Sequence, residues 1–258
     1  MPVVSPLQLG GQGTQYKGNS TLINLLTPLK QRGGARKISL EDYVKGLIDA
    51  LTVHRNRDEV VLEVTRASTY KLLHELLPNM SLSKSEEPFI DNIDGKVVAG
   101  YRIRIRHDKV SDNVKDVYDY LAGCIDAKLE SVKKDENGKI VLLLGCRNPR
   151  IRERFNVEAD EHGIVIKFDV GEASEKILPR LRNKYMVYRI EAVLRGDYRR
   201  YYDVIREEAQ ADEVLRQLAI EEILFSSRRE EYERILSIRP EEARFRQRLL
   251  KELVGCGR

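Results

Sequence analysis

The chain has 258 residues, of which 41% are hydrophobic and 33% are charged, and its formal net charge is only +4. This composition indicates a soluble globular protein with a highly charged surface. The small net charge argues against a uniformly cationic binder and for local basic patches. The cysteines Cys124, Cys146 and Cys256 form no CxxC pair, so neither a disulfide framework nor a zinc site is predicted.

The sequence also predicts where the protein is found. No apolar run reaches the roughly 18 residues of a membrane span. The N-terminus lacks the basic start and the long apolar stretch of a signal peptide. We therefore expect a cytoplasmic protein without a membrane partner, which would be nucleoid-associated if it binds DNA. The absence of Trp together with many Arg, Lys and Glu would suit a thermophile.

Residues 1–37 are rich in Gly, Pro, Ser and Thr and are predicted to form a flexible tail with one short helix, TLINLLTPL. Within the tail, GTQYKGNS resembles the phosphate-binding loop G-x(4)-G-K-[ST]. However, Asn19 replaces the lysine of that loop, and no clear strand precedes it. We therefore interpret this segment as part of the tail.

The middle of the chain, residues 38–170, mixes strand and helix patterns. The turn signal DNIDGK precedes a long strand, and DENGK is a predicted hairpin turn. The predicted strands are EVVLEVT (59–65), VVAGYRIRIRH (97–107), KIVLLLG (139–145) and the later segment GIVIKFD. Residues 171–258 are nearly all helix-forming, with breaks at Gly196 and at the Arg239-Pro240 pair.

One segment of the chain occurs twice, as DYVKGLIDAL (42–51) and as DYLAGCIDAK (119–128), and the two glycines are 77 residues apart. Each copy is followed by a turn, an apolar strand and a short helix, which is TYKLLHELL in the first copy and PRIRERF in the second. A helix–strand–strand–helix–strand–strand unit fits this length. Duplicated units usually pack about a pseudo-two-fold axis.

Small residues recur at helical spacing in both copies. Gly46 and Ala50 are four residues apart, as are Gly123 and Ala127, so each pair shares one helix face and allows close backbone approach. We expect these four residues to form a helix–helix interface. The C-terminal ends of the two helices would then lie side by side near the axis.

The two segments resemble degenerate LAGLIDADG motifs, and residues 38–190 are similar to the LAGLIDADG homing endonucleases and related maturases. In single-chain members, two motif helices form the central interface, and two four-stranded antiparallel sheets form a saddle over the DNA major groove. The resemblance implies a monomeric α+β fold with two αββαββα halves, residues 38–113 and 114–190. A C-terminal helical extension, residues 191–258, would follow.

The ends of both motifs depart from the family. The eighth motif residue is the family's catalytic, metal-holding acid, and the matching residues here are Leu51 and Lys128. Leu cannot coordinate magnesium, and Lys is repelled by the ion. The sixth residue is retained as Asp49 and Asp126. The resemblance therefore implies a degenerate site with no catalytic residue, metal or cofactor, unless Glu130 supports a residual magnesium-dependent nuclease.

The strand YRIRIRH alternates Arg102, Arg104 and Arg106 with apolar residues, which places the three arginines on one face. Such a face can contact phosphates or guanine in the major groove. The alternative is a solvated face balanced by cross-strand Glu or Asp. The corresponding strand of the second half, GIVIKFD, offers only Lys167, so we expect the two halves to contact DNA unequally.

The segment RGDYRRYYDVIRE interleaves Arg199 and Arg200 with Tyr198, Tyr201 and Tyr202. Basic residues interleaved with tyrosine can hold phosphates and stack on bases. At helical spacing, the tyrosines are equally typical of a core. The sequence leaves both interpretations open.

These features predict a DNA-binding protein, a regulator or an architectural protein, built on a catalytically disabled LAGLIDADG fold with double-stranded DNA as its partner. The candidate contacts are Arg102, Arg104, Arg106, Lys128, Lys167, Arg199 and Arg200. Four alternatives remain. They are an RNA-binding maturase-like protein with structured RNA as its partner, a residual endonuclease, a helical module for a protein partner, and a duplicated α+β domain with no nucleic-acid role.

Overall fold

A computed structural model describes residues 39–78, 84–93, 96–106, 113–146, 151 and 163–226. The predicted tail with its short helix and the GTQYKGNS segment lie outside the described residues. So do the Arg239-Pro240 break and the PRIRERF helix, except for Ile151, which is helical and buried.

The first half contains two helices and a four-stranded sheet. Its elements are α1 (Leu40–Leu51), β1 (Thr52–Arg55), β2 (Glu59–Val64), α2 (Ala67–Leu76), β3 (Lys84–Ile93) and β4 (Lys96–Arg106). The strand order is β1-β2-β4-β3, and every neighbouring pair is antiparallel. Helix α1 begins after Ser39, whose hydroxyl accepts a hydrogen bond from the Asp42 backbone N–H.

In residues 114–190, the predicted second half, the described helix and strands are α3 (Val117–Lys128), β5 (Leu129–Lys134), β6 (Ile140–Leu144) and β7 (Ile164–Phe168). The described strands pair antiparallel in the order β5-β6-β7. The predicted hairpin turn joins β5 to β6, with Gly138 in the left-handed region at φ 75°. The fold is α+β with antiparallel sheets, as the sequence predicts.

Helical segments follow β7. Short turns at Val170–Glu172, Ala173–Ile177 and Leu178–Arg180 lead into α4 (Lys184–Arg195) and then α5 (Tyr198–Phe225). Gly196, at φ 72°, ends α4 at the predicted break. The predicted boundary between residues 190 and 191 falls inside α4, so this helix joins the second half to the extension.

Helix α5 packs on the first sheet. The alternation in β4 directs Tyr101, Ile103 and Ile105 inward, and all three are buried. A buried hydrophobic cluster combines residues of the sheet, of α2 and of α5. Its buried members are Ala67, Ile90, Ala99, Tyr101, Leu215, Ala219, Ile220 and Ile223. The extension therefore shares a hydrophobic core with the first half, and Arg102, Arg104 and Arg106 lie on the opposite face of the sheet. None of the described helices is both long enough and apolar enough to cross a membrane.

Candidate nucleic-acid interface

Helices α1 and α3 cross with their backbones in contact. A Cβ atom added to Gly46 would lie 1.9 Å from the carbonyl oxygen of Tyr120, and one added to Gly123 would lie 2.0 Å from that of Tyr43. Only glycine leaves room for this approach. The structure thus places both glycines at the crossing, and Ala50 and Ala127 are buried one turn further along each helix.

Each motif's tyrosine donates a hydrogen bond to the other motif's second aspartate. Tyr43 Oη lies 2.5 Å from Asp126 Oδ2, and Tyr120 Oη lies 2.9 Å from Asp49 Oδ2. All four residues are buried. A buried carboxylate needs such donors, so these reciprocal bonds fix how the two helices are oriented.

The first aspartate of each motif acts in the same reciprocal way at the helix starts. Asp42 accepts backbone N–H bonds from Lys115 (3.2 Å) and Asp116 (2.9 Å), just before α3. Asp119 accepts one from Ser39 (2.6 Å), just before α1. The repeated residues therefore bond across the axis. The predicted interface contained only Gly and Ala, although the recurrence of Asp and Tyr in both motifs indicated these contacts.

The two buried second aspartates have different further partners. Asp49 pairs with Arg55, with 2.5 Å between Oδ1 and Nη2. Asp126 instead accepts backbone N–H bonds from Arg182 (2.6 Å) and Asn183 (3.0 Å). Burial raises the pKa of Asp126 to about 7, although these hydrogen bonds and that of Tyr43 oppose the shift. The second motif thus holds its carboxylate without a cationic side chain bonded to it.

The ends of the motif helices do not fit a magnesium ion. Leu51 is only 3% exposed and offers no oxygen. Lys128 is half-buried and has no ion pair among the described residues. Burial, reinforced by the nearby Arg66 guanidinium, lowers the pKa of Lys128. The Glu130 carboxylate forms an ion pair with Arg66, with 3.1 Å between Oε1 and Nη2. Across the described ranges, no group of three His, Cys, Asp or Glu could hold a metal ion.

Two arginines hold the start of β5, where the register shifts between Leu129 and Ser131. Arg66 and Arg189 both donate to the Leu129 carbonyl, at 2.8 and 3.2 Å, and Arg189 also donates to the Glu130 carbonyl. Arg66 directly precedes α2, and Arg189 lies on α4. The strand start beside Lys128 is therefore held from both halves of the chain.

Helix α5 reaches the same region through two acidic side chains. Glu208 lies 3.3 Å from Arg189, and Asp212 accepts a hydrogen bond (2.8 Å) from the backbone N–H of Ala67, the first residue of α2. Burial raises the pKa of Asp212 to about 6. Asp212 thus caps a helix whose own preceding residue, Arg66, provides no capping bond. No sequence motif predicted this contact, because it joins positions 145 residues apart.

The open face of the first sheet carries the predicted arginines, but two of them are already paired. Arg102 donates two hydrogen bonds, 2.9 and 2.8 Å, to Glu63. Arg104 pairs with Glu59 (3.3 Å) and Glu87 (2.8 Å). Arg106 is exposed on the same face. The alternative prediction of balancing cross-strand carboxylates therefore holds for Arg102 and Arg104.

The open face of the second sheet has a different character. Val141 of β6 pairs with Lys133 on one side and with Lys167 on the other, so the two lysines share one row across the sheet. Both are exposed, and neither has an acidic partner within the described residues. Two strand spacings separate them, which is roughly 10 Å. Lys133 was not among the predicted contacts, because LESVKK was not predicted as a strand.

The last two predicted contacts, Arg199 and Arg200, lie at the start of α5 and have different surroundings. Arg199 is exposed and has no acidic partner among the described residues. Arg200 lies 5.3 Å from the Tyr188 ring centroid and 3.8 Å from Glu207. Tyr202 is 63% exposed, so it is not a core residue. The structure does not bring these residues together with the arginines of β4.

No protein-family model and no curated protein matches the chain significantly. Two solved structures are similar to it. Full-length DUF199/WhiA from Thermatoga maritima has a TM-score of 0.34 and 13% identity, over 67% of this chain and 62% of that chain. The N-terminal LAGLIDADG domain of DUF199/WhiA has a TM-score of 0.33 and 11% identity, over 60% of this chain and 93% of that domain. This chain thus spans less than two thirds of the full-length DUF199/WhiA chain. A LAGLIDADG domain is among the similar structures.

Proposed function

We propose that the protein binds double-stranded DNA through the open faces of its sheets, does not cut it, and acts as a regulator or an architectural protein. The row Lys133–Val141–Lys167 carries this proposal. Two exposed lysines without acidic partners in the described residues, in one row across a sheet face, supply the cationic contacts that a phosphate backbone requires.

Lys128 adds a cation at the start of the strand that carries Lys133. Helix α3 runs directly into β5, so Lys128 immediately precedes the strand that carries Lys133. A carboxylate at either motif end would repel the DNA backbone unless a metal neutralised it. Leu51 removes that repulsion, and Lys128 reverses its sign. The replacements therefore favour binding that needs no divalent metal.

The absence of cleavage follows from the same residues. Metal-assisted strand cleavage needs oxygen ligands that hold the ion beside the scissile phosphate. Glu130 is the only acid near the end of α3 that the sequence offered as a substitute, and its carboxylate lies against the Arg66 guanidinium. A carboxylate that is neutralised in this way is a poor ligand for magnesium.

The test is the salt dependence of binding to a mixed-sequence duplex in EDTA. The double variant Lys133→Ala/Lys167→Ala is expected to reduce the slope of log K against log salt by about two, because each phosphate contact contributes about 0.9. Lys71→Ala is the matched control, since Lys71 lies on α2, which packs on the covered side of the first sheet. An unchanged slope in the double variant would rule out this surface.

A second assay addresses cleavage. The unmodified protein is incubated with its own genomic targets, recovered by pull-down, in magnesium and in manganese. We expect bound but intact duplex in both. Metal-dependent cuts that Glu130→Gln abolishes would replace this proposal with a residual nuclease.

A further inference from the structure

The first three turns of α5 carry an exposed set of side chains, here named the tyrosine–arginine stripe: Tyr198, Arg199, Tyr202 and Arg206. Three of them are spaced by four residues, and Arg199 precedes Tyr202 by three, so all four share one helix face. Tyr198 is 49% exposed and Tyr202 is 63% exposed. The stripe therefore presents two aromatic rings and two guanidinium groups to solvent.

The opposite side of the same turns does the packing. Val204 and Glu208 are only 0% and 6% exposed. Tyr201 is half-buried, and its ring centroid lies 5.7 Å from the Arg189 guanidinium. The Tyr202 ring meets the Tyr201 ring edge-on, with 5.6 Å between the ring centroids. Tyr198 and Tyr202 nevertheless lie on the solvent side of α5, so the docking of this helix leaves both side chains accessible to a ligand.

The charges on the stripe are weakly balanced. Arg199 has no acidic partner among the described residues. The Arg206 side chain is 71% exposed and lies 3.5 Å from Asp203. The stripe is also close to the second sheet, because Lys134 of β5 donates a 2.9 Å hydrogen bond to the Leu194 carbonyl at the end of α4. Chain continuity then places the start of α5 beside the strand that carries Lys133.

We propose that the tyrosine–arginine stripe binds single-stranded nucleic acid, with bases stacked on Tyr198 and Tyr202 and phosphates held by Arg199 and Arg206. Single strands are favoured over a duplex because only unstacked bases offer their faces to aromatic side chains. This activity goes beyond the proposed duplex binding, which uses the sheets. A segment of nucleic acid that is unpaired next to a bound duplex would reach the stripe.

The experiment uses the full chain and an oligothymidylate as the probe. The chain contains no Trp, so Tyr202→Trp introduces a single reporter. Stacking of a base on this indole is expected to quench its emission at saturation while affinity stays close to that of the parent. Tyr202→Ala is expected to bind about tenfold more weakly, the usual scale for losing one stacked base. Arg199→Ala should lower the salt slope by about 0.7.

Two controls make the result specific. Val214→Trp places a reporter at a position that is 42% exposed on the same helix but off the stripe, and its emission should not change. Lys133→Ala/Lys167→Ala should keep oligothymidylate binding while losing duplex affinity. The proposal is overturned if the parent does not bind oligothymidylate, if Tyr202→Ala binds it like the parent, or if Tyr202→Trp stays unquenched. Duplex binding would remain intact in each of these cases.

Discussion

The open faces of the two sheets both carry basic residues, but they differ in what lies beside them. On the first sheet, Arg102 and Arg104 are bonded to glutamates of the neighbouring strands. On the second, Lys133 and Lys167 flank Val141 and have no acidic partner in the described residues. The comparison shows that the charge of a sheet face depends on cross-strand neighbours, whereas the sequence of one strand shows only half of each pair.

This difference predicts a division of roles. An arginine paired with glutamate contributes little net charge, so it adds little to counterion release. The same pair can still read base edges, because Arg matches guanine and Glu accepts from cytosine in the major groove. We therefore expect the second sheet to supply salt-dependent affinity and the first sheet to supply sequence discrimination.

The largest expected effect comes from forcing apart α1 and α3, the two motif helices that cross at Gly46 and Gly123. Gly46→Leu and Gly123→Leu each place a side chain where a backbone carbonyl lies about 2 Å from the new Cβ. The helices must separate, and we expect a loss of about 3 kcal/mol or more in the free energy of unfolding. Denaturant unfolding followed by circular dichroism measures this loss.

Gly171→Leu is the matched control for both glycine variants. No atom lies within 4 Å of a Cβ added at Gly171, so the same substitution there should leave stability nearly unchanged. If the variants at the helix crossing melt together with this control, the helices do not meet at the glycines.

The next prediction concerns the buried contact between the two motif helices, where Asp49 and Asp126 have different partners. The pKa of Asp126 is raised from 3.8 to about 7, chiefly by burial. The folded protein therefore holds this proton more tightly than the unfolded chain does. The Asp126 contribution to stability is greatest below pH 3.8 and falls as the pH rises to about 7. Asp126→Asn removes the titration while keeping an oxygen that accepts from Tyr43.

The stability of Asp126→Asn relative to the parent should therefore rise across this pH interval, by up to about 1.4 kcal/mol per pH unit. Tyr43→Phe removes a hydrogen bond that lowers the pKa of Asp126, so it should extend the dependence to higher pH. Urea unfolding at a series of pH values measures both. If the stability difference between Asp126→Asn and the parent does not change with pH, then the pKa of Asp126 is not raised in the folded protein.

Local periodicity made part of this architecture predictable. The alternation in β4 gave the face of its arginines, and the Gly–Ala spacing indicated the helix crossing, because both depend only on residues close in sequence. Strand β3 contains Pro88 and several charged residues, a pattern that suits an edge strand but indicates a loop when it is met alone. Strand β5 begins directly after α3 without a turn signal.

The strands that were not predicted explain which neighbours the sequence left out at the candidate interface. The partners of Arg104 lie on β2 and β3, and their identity follows from the strand order β1-β2-β4-β3. Lys133 joins Lys167 only through the register of β5, β6 and β7. Both facts depend on long-range pairing, which the hydrophobic pattern of one strand does not specify.

A charge change should make the first sheet behave like the second. The triple variant Glu59→Gln/Glu63→Gln/Glu87→Gln removes the acidic partners of Arg102 and Arg104. We expect about tenfold tighter binding to a mixed-sequence duplex and a salt slope larger by one to two, since the arginines become available for phosphates. Fluorescence anisotropy at several salt concentrations measures both quantities. Glu75→Gln, on α2, is the control, and an unchanged slope in the triple variant would mean that DNA does not approach this face.

The smallest effect on affinity, and the sharpest distinction between the sheets, is expected for Arg104→Ala. Arg104 is bonded to two glutamates, so its removal should change affinity for a mixed-sequence duplex by less than about threefold and leave the salt slope nearly constant. If Arg104 reads a guanine in the selected target, discrimination at that base pair should fall by about 1–3 kcal/mol. Lys133→Ala should do the reverse, lowering the slope by about one at every sequence. Competition binding with single-base variants of the target separates the two patterns.

A full unit of slope lost in Arg104→Ala would mean that the ion pairs of Arg104 open on binding and that phosphate replaces glutamate. The two faces would then act alike, and the division of roles would be wrong.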